Sequence, residues 1–219
     1  MFFLLLHRKN IFVTFMAMKA LIVVDMQYDF LPGGALAVNE GDAIIPIIND
    51  LMAHYDLVVA TQDWHPQEHE SFASNHVGGK VFDQIELNGL PQTLWPDHCI
   101  QGTKGADLSD QLDQRPIAAL FRKGMDKTID SYSGFFDNGH VKNTGLGSYL
   151  QGMAVEEVHV CGLAADYCVY YTAQDALQLG FKAAIVQNAT KPIDSTNFEI
   201  LKDQFIAEGG SIIIGHSFG

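Results

Sequence analysis

Six short apolar runs, spread along most of the chain, constrain its fold more than any other feature. They cover residues 19–24, 56–60, 117–121, 155–161, 181–186 and 211–214. The first is continuous and β-branched rather than alternating, which is the pattern of a strand covered on both faces. Amphipathic stretches with helical spacing separate several of these runs, at 42–54, 166–179 and 197–207. Thr196 with Glu199 reads as a capping box for the last helix, and Gly209-Gly210 ends it. Gly180 ends the helix before it. Alternation of this kind implies right-handed crossovers and a mostly parallel sheet. The predicted fold is α/β, with three layers and a six-stranded mostly parallel sheet carrying helices on both faces.

At 219 residues and 47% hydrophobic content the chain suffices for one well-packed domain, and no linker divides it. Residues 18–219 are therefore read as a single domain. Residues 62–116 have less regular pattern and read as a long functional loop region. In residues 1–17 the charged group His7-Arg8-Lys9 sits between two apolar patches. A secretory signal needs its charge first, and each patch is far short of the ~20 residues that span a bilayer. This segment is expected to be an upstream start or a peripheral tail outside the fold.

The formal net charge is −13. Such a chain gains nothing from phosphate backbones or anionic lipids, so nucleic-acid and membrane partners are excluded from the expectation. Cys99, Cys161 and Cys168 are odd in number and form no CxxC pair. No disulfide framework is expected, and a reducing cytoplasm is the natural compartment.

In open parallel sheets, ligands sit beyond the carboxyl ends of the strands. Asp25, Asp63, Lys123 and the turn from Leu163 to Cys168 all fall there. Asp25 follows four apolar residues, where a carboxylate is costly to bury without a partner. It is a candidate general base, or a cap for the next turn. Cys168 lies where a strand gives way to a helical pattern, and free N–H groups with a helix dipole would lower its pKa. Taken alone, it could equally be a packed core cysteine. Lys123, beside both, would favour the carboxylate and the thiolate. Asp63-Trp64-His65 places two donors on one face of an extended segment, with His98 as the candidate third. That set suits one divalent ion, Zn, Mn or Fe. His69 is a possible fourth donor but is read as a solvated loop histidine. Phe30, Trp95 and Tyr132 would wall a pocket for a flat ring.

An ordered series of segments carries a family resemblance. It runs LIVVDMQ at 21–27 with Asp29 and Phe30, PGGAL at 32–36 with Val38, TQDWHP at 61–66 and SFA at 71–73. It continues with WPDHC at 95–99, Gly102, Gly105, Lys123-Gly124, GLA at 162–164 and DYCV at 166–169. Over 19–215 the chain resembles the nicotinamidase branch of the isochorismatase-like cysteine hydrolases.

The resemblance implies a catalytic triad of Asp25, Lys123 and Cys168 and a metal held by Asp63, His65 and His98. It also implies an oxyanion hole from the backbone N–H groups of Ala164 and Cys168, a cis peptide at Leu163–Ala164, and ring contacts at Phe30, Trp95 and Tyr132. A further histidine binds metal in some relatives; that position is Ser71 here, which leaves water to complete the shell. The implied reaction is hydrolysis of nicotinamide, and of pyrazinamide, to the acid and ammonia through a Cys168 thioester, in NAD salvage. The implied partner is a small-molecule substrate, with a homo-oligomer left open. Two other readings stand beside this one. One is an amidohydrolase of the same superfamily acting on N-carbamoyl or ureido compounds. The other is a non-catalytic binding protein that keeps the scaffold.

Overall fold

The computed structural model describes residues 18–215, so the expectation for residues 1–17 lies outside the described residues. In chain order the strands are β1 (Met18–Val24), β2 (Leu57–Asp63), β3 (Gln84–Leu87), β4 (Leu90–Thr93), β5 (Ile117–Lys123), β6 (Val155–Leu163), β7 (Lys182–Lys191) and β8 (Ser211–Ile213). The helices are α1 (Ile45–Met52), α2 (Leu146–Gly152), α3 (Tyr170–Gln178) and α4 (Ser195–Ala207). Six strands form one sheet in the order β5-β2-β1-β6-β7-β8, and every pairing in it is parallel. β3 and β4 make a separate antiparallel hairpin.

Successive side chains of a strand point to opposite faces, so β1 feeds two cores. Leu21 and Val23 pack with Ile45, Ile48 and Met52 of α1. Ala20, Ile22 and Val24 join Leu146 and Leu150 of α2, Ala173 and Ala176 of α3, and Phe198 and Phe205 of α4. Each fully buried Leu, Ile or Phe contributes on the order of 1.5–3 kcal/mol from removed apolar surface. Helices on both faces are the reason the strands read as continuous apolar runs. This is the three-layer α/β fold the sequence predicts.

Three local expectations are corrected. The 42–54 helix is a tight turn at Gly41–Ile44 followed by α1. The 166–179 helix is one wide turn at Ala165–Val169, with Val169 N donating to Ala164 O at 3.1 Å, and only then α3. The cap of α4 is Asp194, not Thr196: its Oδ1 accepts Thr196 N at 2.8 Å and Asn197 N at 3.2 Å. Asp194 has extended backbone just before the helix, which aims an anionic acceptor at the orphan amides.

From β1 the chain steps to β2 and then β5 on one side, and returns to β6 on the other. The reversal places a crevice at the carboxyl ends of β1 and its neighbours, where ligands bind in such sheets. Among the described residues, no helix is long and apolar enough to cross a membrane.

Candidate active site

Asp25 follows β1, Asp63 ends β2 and Lys123 ends β5; Cys168 sits in the wide turn after β6. All four are buried. Lys123 Nζ lies 2.9 Å from Asp25 Oδ2, donates to Asp63 Oδ1 at 2.5 Å and to the Ser131 carbonyl at 2.9 Å, and stands 3.3 Å from Cys168 Sγ. Thr61 Oγ1 donates to the other Asp25 oxygen at 2.6 Å. Oxygens of Asp25 and Asp63 and the Cys168 sulfur lie within 4.8 Å of one another, a spacing that would suit a cation. The ammonium of Lys123 fills that role.

Burial opposes the charge on Lys123, yet the Asp25 and Asp63 carboxylates outweigh it and hold the amine well above its ordinary range. Burial pushes the Asp25 carboxyl up, against the pull of Lys123. For Cys168 the sequence expectation of a lowered pKa is overturned. Burial, and then Asp25 and Asp63, push the thiol well above its ordinary range, with only Lys123 pulling the other way. A thiol whose proton is held more tightly needs a base beside it, and a carboxylate with raised proton affinity suits that role.

A second group adjoins the first through Asp63. Asp63 Oδ2 is 3.7 Å from His65 Nε2 and 4.0 Å from His98 Nε2. His65 Nδ1 pairs with the Gly124 carbonyl and His98 Nδ1 with the Pro96 carbonyl, both at 2.8 Å. A carbonyl only accepts, so each Nδ1 carries a proton, and a neutral ring then offers Nε2 as its ligand atom. Burial opposes a charge on His65, but the Asp63 carboxylate outweighs it and raises the imidazole above its ordinary range. Burial brings His98 down to about 4, which leaves a neutral imidazole. One carboxylate and two oriented imidazoles, with donor atoms within 4.8 Å of one another, fit a divalent cation.

The reading of His69 as solvated is wrong. It is fully buried, its ring centroid is 4.4 Å from that of His65, and its Nδ1 pairs with Ser71 Oγ at 2.7 Å. Bonds from His69 N to Pro66 O and from Phe72 N to His69 O fold this stretch back under the ligand group. Its Nε2 has no hydrogen-bond partner among the described residues.

Phe30, Trp95 and Tyr132 line one pocket with Asp63, His98, Ala164 and Cys168. Tyr167 stands edge-to-face to Trp95 and Tyr132, at ring-centroid distances of 4.9 and 5.4 Å. Sequence reasoning missed Tyr167, Leu36, Asp130 and Ile193, which also line it. Tyr167 adjoins Cys168, and Asp130 lies two residues before Tyr132; that proximity was the available signal. Leu36 ends the PGGAL segment, whereas Ile193 carried no signal. A larger cleft of about 280 Å³ lies on the other side of Tyr132, but it holds neither Cys168 nor the two imidazoles.

Residues 19–207 match the profile of the isochorismatase domain. The chain belongs to the isochorismatase family. It is 47% identical over 180 residues to a nicotinamidase of Escherichia coli, covering 80% of this chain and 84% of that one. The structure is similar to a nicotinamidase/pyrazinamidase of Acinetobacter baumanii, with a TM-score of 0.88 and 44% identity over 90% of this chain and 96% of that one. It is also similar to the pyrazinamidase of Pyrococcus horikoshii in complex with zinc, with a TM-score of 0.75 and 38% identity over 90% and 98% of the two chains.

In this isochorismatase-family chain the Leu163–Ala164 peptide is cis, as the resemblance implied. Just before it, Gly162 has φ +110°, and a Cβ there would meet the Val24 carbonyl oxygen at 2.0 Å. Only glycine permits both that backbone and that approach. The last residues of β6 therefore lie directly against the end of β1, which brings the Cys168 turn to Asp25.

Proposed function

We propose that this chain is a nicotinamidase that hydrolyses nicotinamide to nicotinate and ammonia, takes pyrazinamide as well, and serves NAD salvage in the cytoplasm. The observation that carries the reading is the position of Lys123 Nζ between Asp25, Asp63 and Cys168 beside a pocket walled by aromatic rings. Similarity to nicotinamidases over 80% of the chain supports the substrate. The three free, buried cysteines are compatible with a reducing compartment.

The roles follow from the chemistry of each group. Phe30, Trp95 and Tyr132 hold the flat ring with its carboxamide toward Cys168. Asp25 takes the thiol proton as the sulfur attacks the carboxamide carbon, and Lys123 balances the charge that then resides on sulfur. The backbone N–H groups of Ala164 and Cys168 hold the developing oxyanion; one such donor is typically worth ~3 kcal/mol of barrier. Asp25 returns the proton to the departing nitrogen, so ammonia leaves and a thioester remains. Water that gives its proton to Asp25 attacks the thioester, releasing nicotinate and restoring the thiol. A divalent ion on Asp63, His65 and His98, drawn from Zn, Mn or Fe, would supply a Lewis-acid anchor for the ring. The zinc in the P. horikoshii relative supports an ion of this class.

Ammonia release from nicotinamide is the test, before and after chelation with metal add-back, alongside an N-carbamoyl substrate. Release that is lost on chelation and restored by Zn, Mn or Fe is the expected outcome. A folded, metal-loaded protein that is silent on nicotinamide and active on the N-carbamoyl compound overturns the substrate.

A further inference from the structure

Asp166 stands two residues before Cys168 in the same wide turn and is 1% exposed. It does not line the reaction pocket. Its carboxylate instead accepts two successive backbone amides from the segment between β7 and α4. Ile193 N donates to Oδ1 and Asp194 N to Oδ2, both at 2.8 Å. Ile193 does line the pocket, beside Phe30, Leu36 and Ala164, and it is 38% exposed, which places it at the mouth. Asp194, the second residue held, caps α4, so the segment is tied to the nucleophile turn at one end and to a helix at the other.

The pocket's walls are not held alike. Trp95, Tyr132 and Tyr167 brace one another edge-to-face. Ile193 is on a short connection between β7 and α4, and its backbone is fixed by the Asp166 carboxylate. Charge-assisted bonds of that kind are about twice as strong as neutral ones, and two in parallel fix direction as well as distance.

We infer that Asp166 is a positioning residue that fixes Ile193 as the mouth wall of the pocket, and that Ile193 thereby limits which ring substituents a carboxamide substrate can carry. The inference rests on the proposed reaction for its substrate, but the anchor itself can be measured without that reaction.

Wild type, Asp166→Asn and Ile193→Ala are compared by backbone hydrogen exchange, by alkylation of Cys168 with iodoacetamide, and by steady-state ammonia release from nicotinamide and 5-methylnicotinamide. Asparagine keeps one acceptor oxygen and loses the other. Asp166→Asn is expected to speed exchange at the Ile193 and Asp194 amides and to raise KM for nicotinamide more than it lowers kcat. The alkylation rate should stay at the wild-type value. Ile193→Ala should move the kcat/KM preference toward the methylated ring by roughly tenfold, the scale set by one small apolar group in a pocket.

Unchanged exchange at those two amides overturns the anchor. A loss of kcat and alkylation with KM unchanged would assign Asp166 to the nucleophile turn instead, which also overturns it. An unchanged ring preference in Ile193→Ala overturns the role in selectivity, and that arm stands even if Asp166→Asn does not fold. A wild type that releases no ammonia from either amide defeats the proposed function, while hydrogen exchange still decides the anchor.

Discussion

Lys123 Nζ lies 2.5 Å from Asp63 Oδ1, which ties the amine facing the thiol to the carboxylate facing two imidazoles. Nucleophile and metal-ligand group thus share one buried ion pair, and a change at their junction is felt on both sides.

Lys123→Met removes the one cation between two buried carboxylates. Uncompensated buried charge of this kind costs about 3–5 kcal/mol. The variant should lose turnover and unfold at markedly lower denaturant concentration than wild type. Equal midpoints would mean that Asp25 and Asp63 do not depend on this amine.

Cys168→Ala should abolish ammonia release yet leave bound metal per chain at the wild-type level, read by elemental analysis of the dialysed protein. Among the described residues the two imidazoles are held by the Gly124 and Pro96 carbonyls, and the Cys168 sulfur is bonded to Lys123 instead. A variant that loses its metal along with its activity would contradict the division of roles.

Gly124→Ala should act on the ligand group without replacing any residue that supplies a donor atom. A Cβ there would meet His65 Cε1 at 2.3 Å, and φ is +63°, so the ring that Gly124 O holds must swing away. Loss of such an outer partner typically weakens metal affinity 10–100-fold. Competition with a chromophoric chelator measures it, and unchanged affinity would remove Gly124 from the site's support.

At α4 the sequence and the structure disagree, and two substitutions separate them. Asp194→Ala should lower stability by about 1 kcal/mol, the usual cost of an N-cap. Thr196→Ala should stay within about 0.5 kcal/mol of wild type. The reverse ranking in urea unfolding would restore the Thr196–Glu199 capping box.

The sheet was legible because burial on both faces leaves strands no polar period to hide in. Asp25, Asp63 and Lys123 were legible for the same reason: each is a charge set at the end of such a run. α2 was not, since Gly147 and Gly152 thin its seven-residue apolar pattern. Nor was the state of His69, because whether a loop histidine meets water or Phe72 depends on how the loop folds back. The Cys168 thiol misled for a related reason. A helix start argues for a thiolate locally, but two carboxylates and burial arrive from strands distant in sequence. Ile193 lies at the pocket mouth through the return of β7, which no local pattern announces.

Where β6 ends, Gly162 lies so close to the Val24 carbonyl that a Cβ would sit 2.0 Å from its oxygen. Main chain meets main chain there, and no side chain intervenes to be exchanged. The apolar residues on either face can drift over generations without altering the separation of base and sulfur. In a saturation library, position 162 should tolerate as little as position 168, although it carries no reactive atom.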